Sequence, residues 1–157
     1  RQVYSWILGR LTTASWADVR LVLPYIAVST VVLLMYRRLI DVLRVGDDEA
    51  RALGVNVNQV RIVVVLAATL GTSAAVAVSG LIGFVGIIVP HAVRLLLGTS
   101  YRIVVPLSMF FGAAFLIAAD IPGRVLTSPS ETPIGVVTAF FGAPFFLLVL
   151  RLREARR

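Results

Sequence analysis

From Ile62 to Gly98 the chain carries only two ionisable side chains, His91 and Arg94. As a single helix that run would reach about 55 Å at 1.5 Å per residue. The hydrocarbon core of a bilayer is roughly 30 Å thick, so one crossing cannot use it all. Gly80, Gly83 and Gly86 fall near its middle. The run therefore divides into segments 62–79 and 81–97 with a tight turn between them. Three further runs have the length and apolarity of a membrane span: 19–36, 103–119 and 134–150. The expected fold is all-α, a polytopic transmembrane helical bundle of five spans, with residues 1–157 as a single transmembrane domain. Five is half of a ten-helix protein.

Composition agrees with this division. Hydrophobic residues make up 59% of the chain, charged residues 15%, and the mean hydropathy is +0.94. Soluble domains carry nearer a quarter charged residues. Cysteine is absent, which excludes disulfides, thiolate metal sites and cysteine nucleophiles. All fifteen basic residues are arginines, and they flank the apolar runs instead of forming a stripe. That pattern argues for membrane topology and against a nucleic-acid partner. The chain opens RQVYSWILGR, without an initiator Met or a charged-then-apolar signal pattern. It reads as the C-terminal part of a longer polypeptide.

The arginines also orient the spans, since positive residues collect on the cytoplasmic side. With the loop 37–61 inside, Arg37, Arg38, Arg44, Arg51, Arg61, Arg94, Arg102, Arg151, Arg153, Arg156 and Arg157 lie inside. Only Arg1, Arg10, Arg20 and Arg124 lie outside, eleven against four. The expectation is an N-terminus outside and a C-terminus in the cytoplasm.

Within the spans, small residues such as Gly71, Gly112 and Gly142 permit close helix packing, which is the plain reason for most of them. Pro24, Pro90, Pro106 and Pro144 each remove a backbone hydrogen bond, as in the broken helices of transporters. His91 has no second histidine and no carboxylate at ligand spacing, so a structural hydrogen-bonding role suits it better than metal binding. Asp120 and Arg124 stand four apart, the spacing of a helical ion pair, but the intervening Pro122 argues against continuous helix there. No GxSxG, HExxH, P-loop or paired-carboxylate pattern is present, so neither an enzyme nor a resident cofactor is expected. The run Gly80-Leu-Ile-Gly-Phe-Val-Gly misses the GxGxxG spacing and follows no soluble strand.

Residues 46–61, GDDEARALGVNVNQVR, are charged between two apolar runs. Asp47, Asp48 and Glu49 suit the positive end of a helix dipole. Gly54 is a natural stop, and Asn56 or Asn58 can cap a second helix that leads through Arg61 into the next span. Ala50, Leu53, Val55 and Val57 give the segment an apolar component. Anionic lipid would repel its carboxylates, so docking onto a cytoplasmic protein is the better reading than lying on headgroups.

The order GDDEARALGV, SGLIGFVGIIVPHAVRLLLGTSYRIVVP, GAAFLIAADIPGR and ETPIGVVTAFFGAPFFLLVLR closely resembles the C-terminal half of the FecCD-type permeases of ABC importers. The resemblance runs from about Trp6 to Arg151. It implies a bacterial inner-membrane permease of ten helices, a homodimer or paired heterodimer in membrane lipid, carrying iron-siderophores, haem or cobalamin. It further implies a separate cytoplasmic ABC ATPase and an extracytoplasmic substrate-binding protein as partners. Asp47, Asp48, Glu49, Ala50, Leu53 and Gly54 match the coupling helix that seats on the ATPase. Arg124 matches an outward arginine that docks the binding protein. Thr138, Phe141 and Gly142 match a helix lining the translocation path. Pro122-Gly123 and Thr132 depart from the family's common residues at those positions. The alternative class is an ATP-independent carrier or channel with a lipid-facing amphipathic loop, and more distantly a membrane scaffold. Which chelate is carried is not written in these residues.

Overall fold

The computed structural model describes residue 9, residues 14–125 and residues 133–154, without the side chains of residues 124, 125, 146, 148–150 and 152–154. Regular structure among the described residues is wholly helical. The elements are α1 (Trp16–Leu43), α2 (Asp47–Ala52), α3 (Val57–Ser79), α4 (Val85–Leu97), α5 (Tyr101–Val125) and α6 (Ile134–Glu154). Three of them are long and apolar enough to cross a membrane: α1, α3 and the Tyr101–Gly123 part of α5.

Local chemistry sets where these helices begin. Ser15 opens α1 with a capping box, in which its hydroxyl accepts from the Asp18 N–H and the Asp18 carboxylate accepts from the Ser15 N–H at 2.9 Å. The helix then outruns the apolar segment 19–36 at both ends and carries Arg37 and Arg38 within it. Asn56 starts α3, its side-chain oxygen accepting from the Gln59 N–H at 3.1 Å. Between α3 and α4 the chain leaves helix from Gly80 to Phe84. Both of those residues have positive φ, +71° and +66°. The 13 residues of α4 rise only about 20 Å, less than a bilayer's hydrocarbon core.

Prolines do not stop the helices. Pro24, Pro90 and Pro144 lie inside α1, α4 and α6. Helix α5 runs unbroken through Pro122 to Val125, which corrects the sequence expectation that this proline interrupts it. One missing N–H near a helix end leaves a single carbonyl to satisfy, a loss that membrane helices tolerate.

The chain divides into two compact units. One comprises Ser15–Val78 with Val93–Leu107; the other comprises Arg1–Ala14, Ser79–Ala92 and Ser108–Arg157, so far as these are described. In the first unit α1 meets α3 through small groups. Ser29 is buried and donates its hydroxyl to the Ala67 carbonyl at 2.7 Å. One turn further along α3, Gly71 leaves open the space that the Ser29 side chain fills. In lipid no hydrophobic force drives helices together, so close approach and interhelical hydrogen bonds must do it.

Little apolar surface is hidden by the chain itself. Only 11%, 6% and 11% of the most apolar 18-residue stretches of α1, α3 and α5 are buried. Trp16, Met35 and Phe110 are exposed. Water does not tolerate contiguous apolar area on this scale, whereas a bilayer or further helices cover it.

A Cβ at Gly71 would overlap the Ser29 side chain, whereas one at Gly112 would meet nothing within 4 Å. Gly71→Ala is therefore expected to destabilise the protein by about 1–3 kcal/mol. Gly112→Ala is expected to be neutral or stabilising by up to about 1 kcal/mol. Thermal unfolding of the two variants in detergent checks the contrast, and equal shifts would reject the notch.

Candidate functional site

The acidic segment folds as a short helix with both ends fixed by its sequence. Asp47, Asp48 and Glu49 occupy the first turn of α2, where unpaired N–H groups and the dipole favour carboxylates. At the other end Gly54 has φ +80°. The Gly54 N–H bonds the Arg51 carbonyl at 2.9 Å, and the Val55 N–H bonds the Ala50 carbonyl at 3.0 Å. That pair of bonds is a Schellman cap, which requires a left-handed residue at Gly54. Asp47 also accepts from Arg61 at 3.1 Å and 3.2 Å, tying the start of α2 to the first turns of α3.

The residues of this helix divide between two faces. Ala50 is 0% exposed and seats α2 on its own unit. Leu53 is 73% exposed, beside exposed Asp48, Glu49 and Gly54. Of the apolar residues read from the sequence, Val57 is buried and Val55 half-buried. Leu53 is thus a large apolar side chain presented outward at the end of α2, with Glu49 one turn before it and Asp48 paired to Arg51 at 3.3 Å.

Sequence reasoning missed a second cluster, in the same unit. Asp41 lies in the last turn of α1, its side chain 19% exposed. It accepts from the Ser100 hydroxyl at 2.6 Å, the Tyr101 N–H at 2.7 Å and the Arg102 N–H at 3.4 Å. Those N–H groups are orphan donors of the first turn of α5, so a carboxylate on α1 caps a helix sixty residues away. Arg44 donates to the Thr99 carbonyl at 2.6 Å and lies 3.8 Å from Asp41. Arg94, in the last turn of α4, reaches the Tyr101 hydroxyl at 3.3 Å, and its guanidinium lies 5.4 Å from the ring centroid. The sequence held half a signal, a lone carboxylate amid arginines from 37 to 44. Its partner lies too far along the chain for spacing to reveal.

The residues matched to a translocation path lie on α6. Thr138 is 0% exposed and donates to the Gly135 carbonyl at 3.1 Å. Phe141 is half-exposed and meets Phe140 edge to face at 5.8 Å. Gly142 is buried, and a Cβ there would fall on the Phe84 ring. Phe84 is the non-glycine residue with positive φ among those described, a conformation that bulky side chains adopt only when packing holds them. His91, expected to act through a hydrogen bond, packs its ring against Phe145 at 6.0 Å in a T-shaped contact. The backbone of Arg124 lies in α5, and its side chain is outside the described residues. No group of three or more His, Cys, Asp or Glu suited to a metal occurs among the described residues.

The Phe84–Gly142 contact makes a prediction. Gly142→Ala is expected to destabilise the protein by about 1–3 kcal/mol. Adding Phe84→Ala to it should cost less than the sum of the two single changes. A double-mutant cycle by thermal unfolding reads the coupling, and additive effects would separate the two residues.

The chain matches known proteins over nearly its whole length. The sequence model of the FecCD transport family covers residues 1–152. The cobalamin import system permease protein BtuC of Halobacterium salinarum is 45% identical over 99% of this chain and 42% of its own. The hemin transport system permease protein HmuU of Yersinia pestis is 40% identical over 99% of this chain and 47% of its own. A solved structure, an inward-facing conformation of a candidate metal-chelate type ABC transporter, superposes with a TM-score of 0.90 at 30% identity. That match covers 96% of this chain and 48% of the other. The chain spans less than half the length of the curated relatives it matches.

Proposed function

The chain belongs to the FecCD transport family, and on that premise we propose that it is part of the permease of an ATP-driven importer. The cargo class is a metal chelate of the iron-siderophore, haem or cobalamin type, carried across the inner, or plasma, membrane. The observation that carries this reading is the superposition of 96% of the chain on 48% of one chain of a candidate metal-chelate type ABC transporter. The names of the permease relatives support the cargo class. In this reading the whole permease has ten helices and pairs with a second copy or a close relative. The loop 37–61 faces the cytoplasm, and the spans are 19–36, 62–79, 81–97, 103–119 and 134–150. Arg124 faces outward toward a substrate-binding protein, and Thr138, Phe141 and Gly142 belong to the helix beside the path.

ATP is hydrolysed in a separate subunit, and α2 is the part of the permease that meets it. The exposed Leu53 offers an apolar anchor, with exposed Glu49 one turn before it for charge complementarity. Ala50, buried beneath, passes a push on the helix to its own unit. The Schellman cap at Gly54 keeps so short a helix from fraying under load.

Leu53→Asp tests this directly, because an exposed side chain can be changed without loss of fold. Co-purification of the intact permease with its ATPase should fall by roughly tenfold or more, the loss of an interface anchor. The melting temperature should stay unchanged. ATP-dependent uptake into proteoliposomes should fall in parallel. Unchanged association would remove α2 from the interface, and native uptake that proceeds without ATP would place the protein among passive carriers.

A further inference from the structure

The Asp41 cluster has no part in the cargo or docking roles above, yet it lies six residues before α2 in the chain. Asp41 receives a hydroxyl and two backbone N–H groups from Ser100, Tyr101 and Arg102. Arg44, three residues on, holds the Thr99 carbonyl at 2.6 Å. Arg37, one turn before Asp41, donates to the Arg102 carbonyl at 3.4 Å. All four residues from Thr99 to Arg102 are therefore held by side chains of α1 and of Arg44, the residue that follows it. Three charged side chains, Arg37, Asp41 and Arg44, grip both the donors and the acceptors of this short turn, and charge-assisted bonds are about twice as strong as neutral ones.

We propose that Asp41 is a positioning residue that makes the end of α1 and the start of α5 move as one body, so that displacement of α2 is delivered to α5. The inference rests on the importer reading of α2. The path of force runs from α2 through residues 44–46 to the last turn of α1, then across the Asp41 carboxylate to the first turn of α5. Without Asp41 the described bonds that remain are that of Arg44 to the Thr99 carbonyl in the turn and the longer one of Arg37 to the Arg102 carbonyl. Motion of α2 would then be spent in the turn, because the first N–H groups of α5 would be capped by Ser100 or water and no longer by α1.

The test uses the intact transporter with its ATPase and binding protein in proteoliposomes, read as cargo transported per ATP hydrolysed. Asp41→Ala should retain the ATPase and continue to hydrolyse ATP, while transport per ATP falls by roughly fivefold, in proportion to a lost helix cap. Asp41→Asn, which keeps an acceptor oxygen, should recover much of that loss. A purely structural role would instead lower hydrolysis, association and thermal stability together. The chain has no cysteine, so Asp41→Cys with Ser100→Cys can be joined by a short bifunctional thiol reagent. Transport per ATP should be low before cross-linking and return toward native after it. Arrest of transport by the cross-link, or failure of the pair to cross-link, would overturn the proposal by showing that the two ends separate. If the native transporter takes up cargo with ATP and Asp41→Ala matches it, only this inference fails. If the native transporter shows no ATP-dependent uptake, the importer reading fails first.

Discussion

A bilayer core offers no hydrogen-bond partner to a peptide group, and the rest of this structure follows from that. Each run of apolar residues becomes helix because helix satisfies its backbone internally. Holding the helices together is a separate problem, since lipid solvates leucine as well as another helix does. The chain answers it with small contacts. Ser29 bonds the Ala67 carbonyl beside Gly71, and Phe84 rests where Gly142 has no side chain. Both are steric notches that a single methyl group would close.

Irregular backbone is confined to places where something else supports it. From Gly80 to Phe84 the chain leaves helix inside an apolar region, with two residues at positive φ. Glycine takes that conformation freely, and phenylalanine takes it only where packing outweighs the steric cost. The ring of Phe84 against Gly142 supplies that packing. The outcome is a short α4, preceded by non-helical backbone, in a family of transporters. Discontinuous helices of this kind are the common means by which transporters bring backbone groups to a path.

The polar features have a different logic. Charged residues here are not scattered for solubility but gathered where helices end. Three carboxylates complement the start of α2, Arg94 complements the end of α4, and Asp41 caps the start of α5. Because Asp41 belongs to α1, its cap is also a tertiary bond, and it joins the segment before α2 to the turn before α5. One side chain thereby joins the last turn of α1 to the first turn of α5.

The sequence by itself determined the helical class, the apolar segments and the local signals that start and stop helices. It placed the acidic first turn at Asp47–Glu49, the glycine stop at Gly54, and a cap for α3 at one of two asparagines, of which Asn56 is the one used. These were legible because capping and hydrophobicity act over one to four residues, within reach of any reading of the chain. Even there a local rule misled at Pro122, where the rest of a long helix carried α5 through. Only the tertiary structure decided that Ala50 faces inward while Leu53 faces out, that Gly142 makes room for Phe84, and that Asp41 serves a helix sixty residues away. Each of those depends on which surfaces meet in space, and a contact between distant segments leaves no period or spacing in a single sequence.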